Sequence, residues 1–178
     1  MANSSVSEFK LVPFKENELF SILGIIDCSP QKIHVGFLVE GPLKDLIIPK
    51  MSIKPQKKDK LWEQTCFEIF LSEKSADKYF ELNFSPSRDW AIYSFDDYRE
   101  LGASGRLKTF NAPEIAMETS KHELKIEILL DNPTGLAKKD LDIGITAVLQ
   151  EKNLEKTFWA LTHLSAEPDF HKRDTFVL

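Results

Sequence analysis

Alternating apolar and polar residues dominate the chain, and this period of two predicts β-strands. Two weaker strand candidates, FKLVPF and LFSILGII, lie near the start of the chain. Turn-forming sequences such as CSPQ, SPSRD and DNPTG separate most of the predicted strands. The pattern is clearest in seven segments, at residues 33–40, 65–72, 78–85, 90–95, 123–130, 142–150 and 156–162.

Many short strands without intervening long helices predict an all-β fold, an antiparallel β-sandwich. We expect about ten strands in a jelly-roll-like topology, with one or two short helices. The helix candidates are SADK from residue 75, PTGLAKKDL at 133–141 and DDYREL from residue 96. The 178 residues fit one domain, 1–178, because no repeat, linker or low-complexity tract marks a boundary.

Composition and charge narrow the class of protein. A formal net charge of −5 argues against a nucleic-acid partner, because binding to phosphate groups requires clustered Lys and Arg side chains. No stretch approaches the roughly 18 apolar residues of a membrane helix, and MANSSVSEFKLV lacks the apolar region of a signal peptide. Only Cys28 and Cys66 are present, which excludes a disulfide-stapled scaffold. We therefore expect a cytoplasmic protein with no nucleic-acid or membrane partner.

Aromatic and charged residues are interleaved in residues 61–98. Side chains alternate faces along a strand, so the pattern assigns Phe67 to the core side and Glu68 to the other side. In the next strand Glu81 and Asn83 share the polar side. If the two strands pair as a hairpin, Glu68 lies on the same face as Glu81 and Asn83. The residues assigned to the core by this alternation are Thr65, Phe67, Ile69, Leu71, Phe80, Leu82 and Phe84.

Two acidic groups and an amide on one sheet face favour a hydroxylated ligand that hydrogen-bonds to them, and a plain solvent-facing sheet is the alternative. Trp62 and Trp90 stand next to loops, where an indole can stack on a sugar ring or plug the end of the core. Arg88 would add a charged contact, and His163 would lie at the rim. The predicted ligand-binding residues are thus Trp62, Glu68, Glu81, Asn83, Arg88, Trp90 and His163.

The C-terminal segment THLSAEPDFHKRD combines imidazole and carboxylate groups. His163, Asp169 and His171 are weak candidates for a divalent-metal site, and a hydrogen-bonded closing loop is the alternative. The chain has no nucleophile elbow, phosphate loop or dinucleotide motif. We therefore expect a non-catalytic protein, with a metal-dependent enzyme and a protein-interaction module as alternatives.

The runs LWEQTCFEIFLS, YFELNFSPSRDWAIYSFDDYRELG and ALTHLSAEPDFHKRD resemble single-domain bacterial proteins described as DOMON-like, relatives of family 9 carbohydrate-binding modules. The resemblance covers residues 33–176 and implies a β-sandwich that binds sugars or, in some members, haem. Two aromatic side chains clamp the sugar in such relatives, and Trp62 and Trp90 are the candidates by type. Haem-binding relatives use methionine and histidine ligands, but Met51 and Met117 lie in weakly patterned segments. The expected partner is a small-molecule ligand such as a sugar. No cofactor is expected, and a haem-binding protein or a divalent-metal site is the alternative.

Overall fold

A computed structural model describes residues 6–106 and 110–178, and within them the chain forms eleven β-strands. All neighbouring strands pair antiparallel. The strands are β1 Ser7–Pro13, β2 Ser21–Cys28, β3 Lys32–Glu40, β4 Cys66–Glu73, β5 Tyr79–Phe84, β6 Trp90–Asp97, β7 Glu100–Arg106, β8 Glu114–Thr119, β9 Glu123–Asp131, β10 Leu141–Gln150 and β11 Lys156–Ala160.

The strand order is β7-β6-β5-β4-β10-β11-β1-β2-β3-β9-β8. Strand β1 joins the two halves, because residues 7–11 pair with β2 whereas Val12 and Pro13 pair with β11. We call β7-β6-β5-β4-β10-β11 the front sheet and β1-β2-β3-β9-β8 the back sheet. Phe37 of the back sheet contacts Phe67 of the front sheet, with ring centroids 4.8 Å apart. The two sheets therefore face each other as a β-sandwich, which confirms the predicted fold class.

The main core lies between the sheets and is built from alternate residues of each strand. Phe67, Ile69 and Leu71 of β4 are fully buried there, as the alternation predicts. Leu82 and Phe84 of β5 lie directly opposite Ile69 and Phe67 in the register. Because side chains alternate, the residues between them point to the outer face of the front sheet.

The expected short helices are single three-residue 3-10 turns: Leu43–Asp45, Leu61–Glu63, Lys138–Asp140 and Arg173–Thr175. The third lies within the 133–141 segment. The helix predictions from residues 75 and 96 are wrong. Ser75 adopts a left-handed φ of 65° in the β4–β5 turn, and Arg99, with φ 54°, helps to reverse the chain between β6 and β7. Within the described residues no helix is long and apolar enough to span a membrane.

Candidate ligand-binding site

A cavity of about 500 Å³ lies on the outer face of the front sheet. Its floor is set by strand register. Glu68 of β4 lies opposite Asn83 of β5, and Glu81 lies between Phe70 of β4 and Tyr93 of β6. All of these side chains therefore share one face, which confirms the predicted proximity of Glu68, Glu81 and Asn83. Strands β10 and β11 extend the floor with Val148 and Phe158, and the walls come from Trp62, Arg99, Leu101, Lys156, Pro168, Phe170 and His171.

The C-terminal segment covers part of this outer face and makes it a cavity rather than an open sheet. Phe176 packs on Phe70 with ring centroids 5.4 Å apart, inside a second apolar cluster that also contains Tyr79 and Phe95. Gly144 of β10 allows this approach, because a Cβ there would lie 2.7 Å from the Phe176 ring. The outer face of the front sheet is therefore shielded from solvent beside the cavity, and this second apolar cluster supports the cavity floor.

The carboxyl groups of Glu68 and Glu81 are buried on the cavity floor, with exposed fractions of 3% and 6%. Thr146 donates a hydrogen bond of 2.9 Å to Glu68 Oε2, and Asn83 Nδ2 donates one of 2.6 Å to Glu81 Oε1. Burial raises the pKa of both carboxyls well above the usual range, and the charge of Glu81 raises that of Glu68 further. The pair therefore holds a proton at pH values where exposed carboxyls are ionised.

His171 reaches the cavity from the C-terminal segment. Its Nδ1 lies 2.8 Å from Tyr79 Oη, and its Nε2 lies 3.5 Å from Glu81 Oε2. The backbone N–H of Arg99 donates to Tyr79 Oη at 3.1 Å, which leaves the phenol proton to bond His171 Nδ1. Nε2 then carries the imidazole proton towards Glu81. Burial, helped by the positive charge of Arg99, lowers the pKa of His171 to about 4, so the ring is neutral at pH 7.

Trp62 forms an accessible aromatic wall beside the carboxyl pair. It lies in the 3-10 turn Leu61–Glu63, which begins after Lys60 in a left-handed conformation with φ 61°. The indole is 38% exposed and contacts the ring of Tyr93 edge-on, with centroids 6.1 Å apart. Lys156 Nζ donates to the carbonyl oxygen of Trp62 at 3.4 Å. A flat apolar ring at the rim and carboxyl oxygens on the floor can together bind a ligand with one apolar face and several polar groups.

The structure separates two other predicted residues from this cavity. Trp90 is 3% exposed and lies on the core side of the front sheet, opposite Phe84. The prediction of Trp90 as a stacking residue is therefore corrected, because strand alternation turns it towards the main core. Arg88 lies in the β5–β6 turn with φ 71°, and its guanidinium donates to the carbonyl oxygen of Ser52 at 2.7 Å. Arg88 is thus used in a local loop contact and does not line the cavity.

The three residues considered for metal binding do not converge on one point, although the backbone N–H of His171 donates to Asp169 Oδ1 at 3.1 Å. His163 Nε2 lies 3.0 Å from the carbonyl oxygen of Val12, outside the cavity wall. Asp169 accepts hydrogen bonds from Tyr98 Oη and Arg99, and His171 bonds Tyr79. Across residues 6–106 and 110–178 no three His, Cys, Asp or Glu side chains are grouped closely enough to hold a metal ion.

Several cavity residues were not singled out from the sequence. Tyr93 and Phe95 could have been found, because they alternate along β6 on the face that Glu81 occupies in β5. Phe158 lies opposite Val148 in the β10–β11 hairpin, but the position of this hairpin beside the carboxyl pair depends on the long-range pairing of β10 with β4. Phe170 lies in an irregular segment, and no local pattern indicates that it folds over the front sheet.

Comparison with known proteins places the chain among structures of similar fold. No family model matches the chain, and no curated protein sequence matches it. A Bacteroides uniformis protein, provisionally assigned as carbohydrate-binding, matches 97% of this chain and 84% of its own, with a TM-score of 0.65 and 11% identity. A family 9 carbohydrate-binding module from Caldicellulosiruptor kristjanssonii, solved with cellotriose, matches 88% of this chain and 72% of its own, with a TM-score of 0.52 and 12% identity. The structure of such a module from the same organism with glucose matches 88% of this chain and 74% of its own, with a TM-score of 0.53 and 10% identity. At these identities the comparison shows that the chain shares the fold of these proteins.

Proposed function

We propose that the chain is a carbohydrate-binding domain, related to family 9 modules and DOMON-like proteins, whose ligand occupies the cavity over Glu68 and Glu81. The observation that carries the proposal is the partly exposed indole of Trp62 beside two buried carboxyl groups. An aromatic ring can stack on the apolar face of a sugar, while carboxyl oxygens accept hydrogen bonds from its hydroxyls. A volume of about 500 Å³ lies in the usual range of small-molecule sites.

The fold comparison supports the same ligand class. The structurally similar family 9 modules were solved with cellotriose and with glucose, so this sandwich architecture can carry a sugar site. Fold alone does not set function, and the cavity residues of this chain bear the argument. Trp62 alone takes the stacking role, since Trp90 is buried in the main core.

We further propose that the site binds its ligand without cleaving it. Glycoside hydrolysis places two carboxyl groups on either side of the scissile bond. Glu68 and Glu81 lie instead on adjacent strands of one sheet face, so both approach a ligand from the same side. This arrangement favours hydrogen bonding to one sugar unit.

Titration calorimetry with glucose, galactose, N-acetylglucosamine and cellobiose tests the proposal. At least one of these sugars is expected to bind the wild-type protein. Trp62→Ala should lower the affinity for that sugar about tenfold or more, because the stacking contact and the apolar area that it buries are lost. Glu81→Gln should weaken it by a similar factor, because an amide donor replaces an acceptor.

Glu127→Gln is the matched control, since Glu127 lies on the outer face of the back sheet, where it pairs with His34. This variant should bind the sugar with wild-type affinity. The proposal is wrong if no sugar binds, or if Trp62→Ala and Glu81→Gln both retain full affinity.

A further inference from the structure

The buried carboxyl pair has hydrogen-bonding capacity that the described residues leave unused. Glu68 receives one hydrogen bond, from Thr146 to Oε2, and no described residue donates to Oε1. At Glu81 the bond from Asn83 occupies Oε1, while the nearest group to Oε2 is His171 Nε2 at 3.5 Å. Neither Glu68 Oε1 nor Glu81 Oε2 is sealed from the cavity, so a donor from outside the protein can reach each of them. Glu68 and Glu81 both line the cavity, so a ligand in it can supply the missing donors.

Arg99 and Lys156, the lysine and arginine residues described in the cavity wall, have hydrogen-bonding partners outside the carboxyl pair. The Arg99 guanidinium is 3.0 Å from Asp169 Oδ1 and also donates to Tyr98 Oη at 3.3 Å. Lys156 lies at the rim and donates to the carbonyl oxygen of Trp62. Among the described residues no lysine or arginine nitrogen lies within 4.0 Å of the Glu68 or Glu81 carboxyl oxygens. None of the Lys and Arg side chains that the structure describes therefore forms an ion pair with either carboxyl, and Arg99 acts on Glu81 only through space, where its charge opposes the rise in the Glu81 pKa.

The aromatic lining adds a second, independent preference for positive charge. Rings of Trp62, Phe70, Tyr93, Phe95, Phe158 and Phe170 line the same cavity. Aromatic rings attract cations through the negative charge of their faces, and the effect grows when the site excludes water. A neutral hydroxyl donor is stabilised by the carboxyl groups alone, whereas a cation is stabilised by both the carboxyl groups and the aromatic rings.

We infer that the ligand carries a protonated amine, as an amino sugar does, and that this ammonium group binds between Glu68 and Glu81. The inference rests on the proposed function, since it names the class of sugar that the cavity binds. An ammonium has three N–H donors for the free carboxyl oxygens. As it enters, the proton held by the carboxyl pair leaves to solvent, and the ligand keeps its own protons.

The other ionisable groups facing the pair keep their charge state during this exchange. Burial raises the pKa of Cys66 and Tyr79 and lowers that of His171, so all three are neutral at pH 6. Arg99 and Asp169 form an ion pair that holds both in the charged state, and Lys156 lies further out at the rim. Glu68 and Glu81 are thus the source of a released proton.

Titration calorimetry at pH 6 with glucosamine, glucose and N-acetylglucosamine tests the inference on the full chain. An alkylammonium stays protonated at this pH. Glucosamine is expected to bind about tenfold more tightly than either neutral sugar, because a charge-assisted hydrogen bond is roughly twice as strong as a neutral one. Its binding heat should also differ between two buffers of different ionisation enthalpy, as proton release requires.

The double variant Glu68→Gln with Glu81→Gln should lose the preference for glucosamine and the proton release, whereas Glu127→Gln should keep both. If glucose or N-acetylglucosamine binds in the cavity as tightly as glucosamine, the inference is wrong and the proposed function stands. If glucosamine fails to bind while another sugar does bind, the inference is wrong and the proposed function stands. If none of glucosamine, glucose, galactose, N-acetylglucosamine and cellobiose binds, both are wrong. Circular dichroism verifies that each variant is folded. The affinities of the wild-type protein for the three sugars test the inference even if a variant fails to fold.

Discussion

Replacing Phe70 by alanine is expected to lower the free energy of unfolding by about 3–5 kcal/mol. Phe70 is fully buried, yet it points away from the main core. It joins the front sheet to the C-terminal segment, since its ring centroid lies 5.3 Å from that of His171 and 5.4 Å from that of Phe176. Its removal leaves a void beneath both, which also loosens the wall of the cavity.

Urea denaturation of Phe70→Ala measures this loss. Leu129→Ala is a suitable control, because Leu129 is an exposed apolar residue of β9 and its truncation should cost less than about 1 kcal/mol. A loss for Phe70→Ala no larger than that of the control would mean that the C-terminal segment does not pack on the front sheet.

Replacing both Glu68 and Glu81 by glutamine is expected to stabilise the ligand-free protein at pH 8 by about 2–4 kcal/mol. Burial raises the pKa of both carboxyls in the folded state above the ordinary value of 4.5. The unfolded chain therefore releases protons first, and wild-type stability falls as the pH rises above about 4.5 until both groups ionise in the folded protein. Glutamine is neutral at every pH, and its amide oxygen still accepts the bonds from Thr146 and Asn83.

The unfolding free energy of both proteins, measured from pH 4 to pH 9, checks this prediction. The difference should be small near pH 4.5 and grow towards pH 8. In both proteins the titration of His171 changes the free energy of unfolding with pH in the opposite direction. Its folded pKa of about 4 lies below the ordinary 6.5, so its contribution is present above pH 6.5 and is lost as the pH falls. A difference that is constant across the range would show that the carboxyls titrate normally in the folded protein.

The predicted strands agree with the structure wherever one face of the strand is buried and apolar while the other face carries polar side chains. Residues 65–72 predict β4 almost to the residue, and the same alternation assigns Phe67 and Glu68 to opposite faces. Strands β7 and β8 were missed. They are the terminal strands of the two sheets. In β8 only Ile115 is buried, so the apolar alternation there is weak.

The site was only partly predictable for a physical reason. Glu68, Glu81 and Asn83 lie on neighbouring strands of a hairpin, so local alternation places them together. Trp90 follows a loop, which suggests an accessible indole, yet it lies on the same face of the sheet as Phe84 and Ile92 and therefore points into the main core. His171 depends on how an irregular segment folds over the sheet, and this is decided by tertiary packing on Phe70 and Tyr79.

The indole N–H signals in a ¹⁵N–¹H correlation spectrum test most directly whether the ligand binds in the cavity. The chain has three tryptophans: Trp62 lies at the cavity rim, whereas Trp90 and Trp159 are buried in the main core. Addition of a saturating sugar identified by calorimetry is expected to shift the Trp62 signal and leave the other two in place. A bound sugar that leaves the Trp62 signal unmoved would contradict the assignment of the cavity as the carbohydrate site.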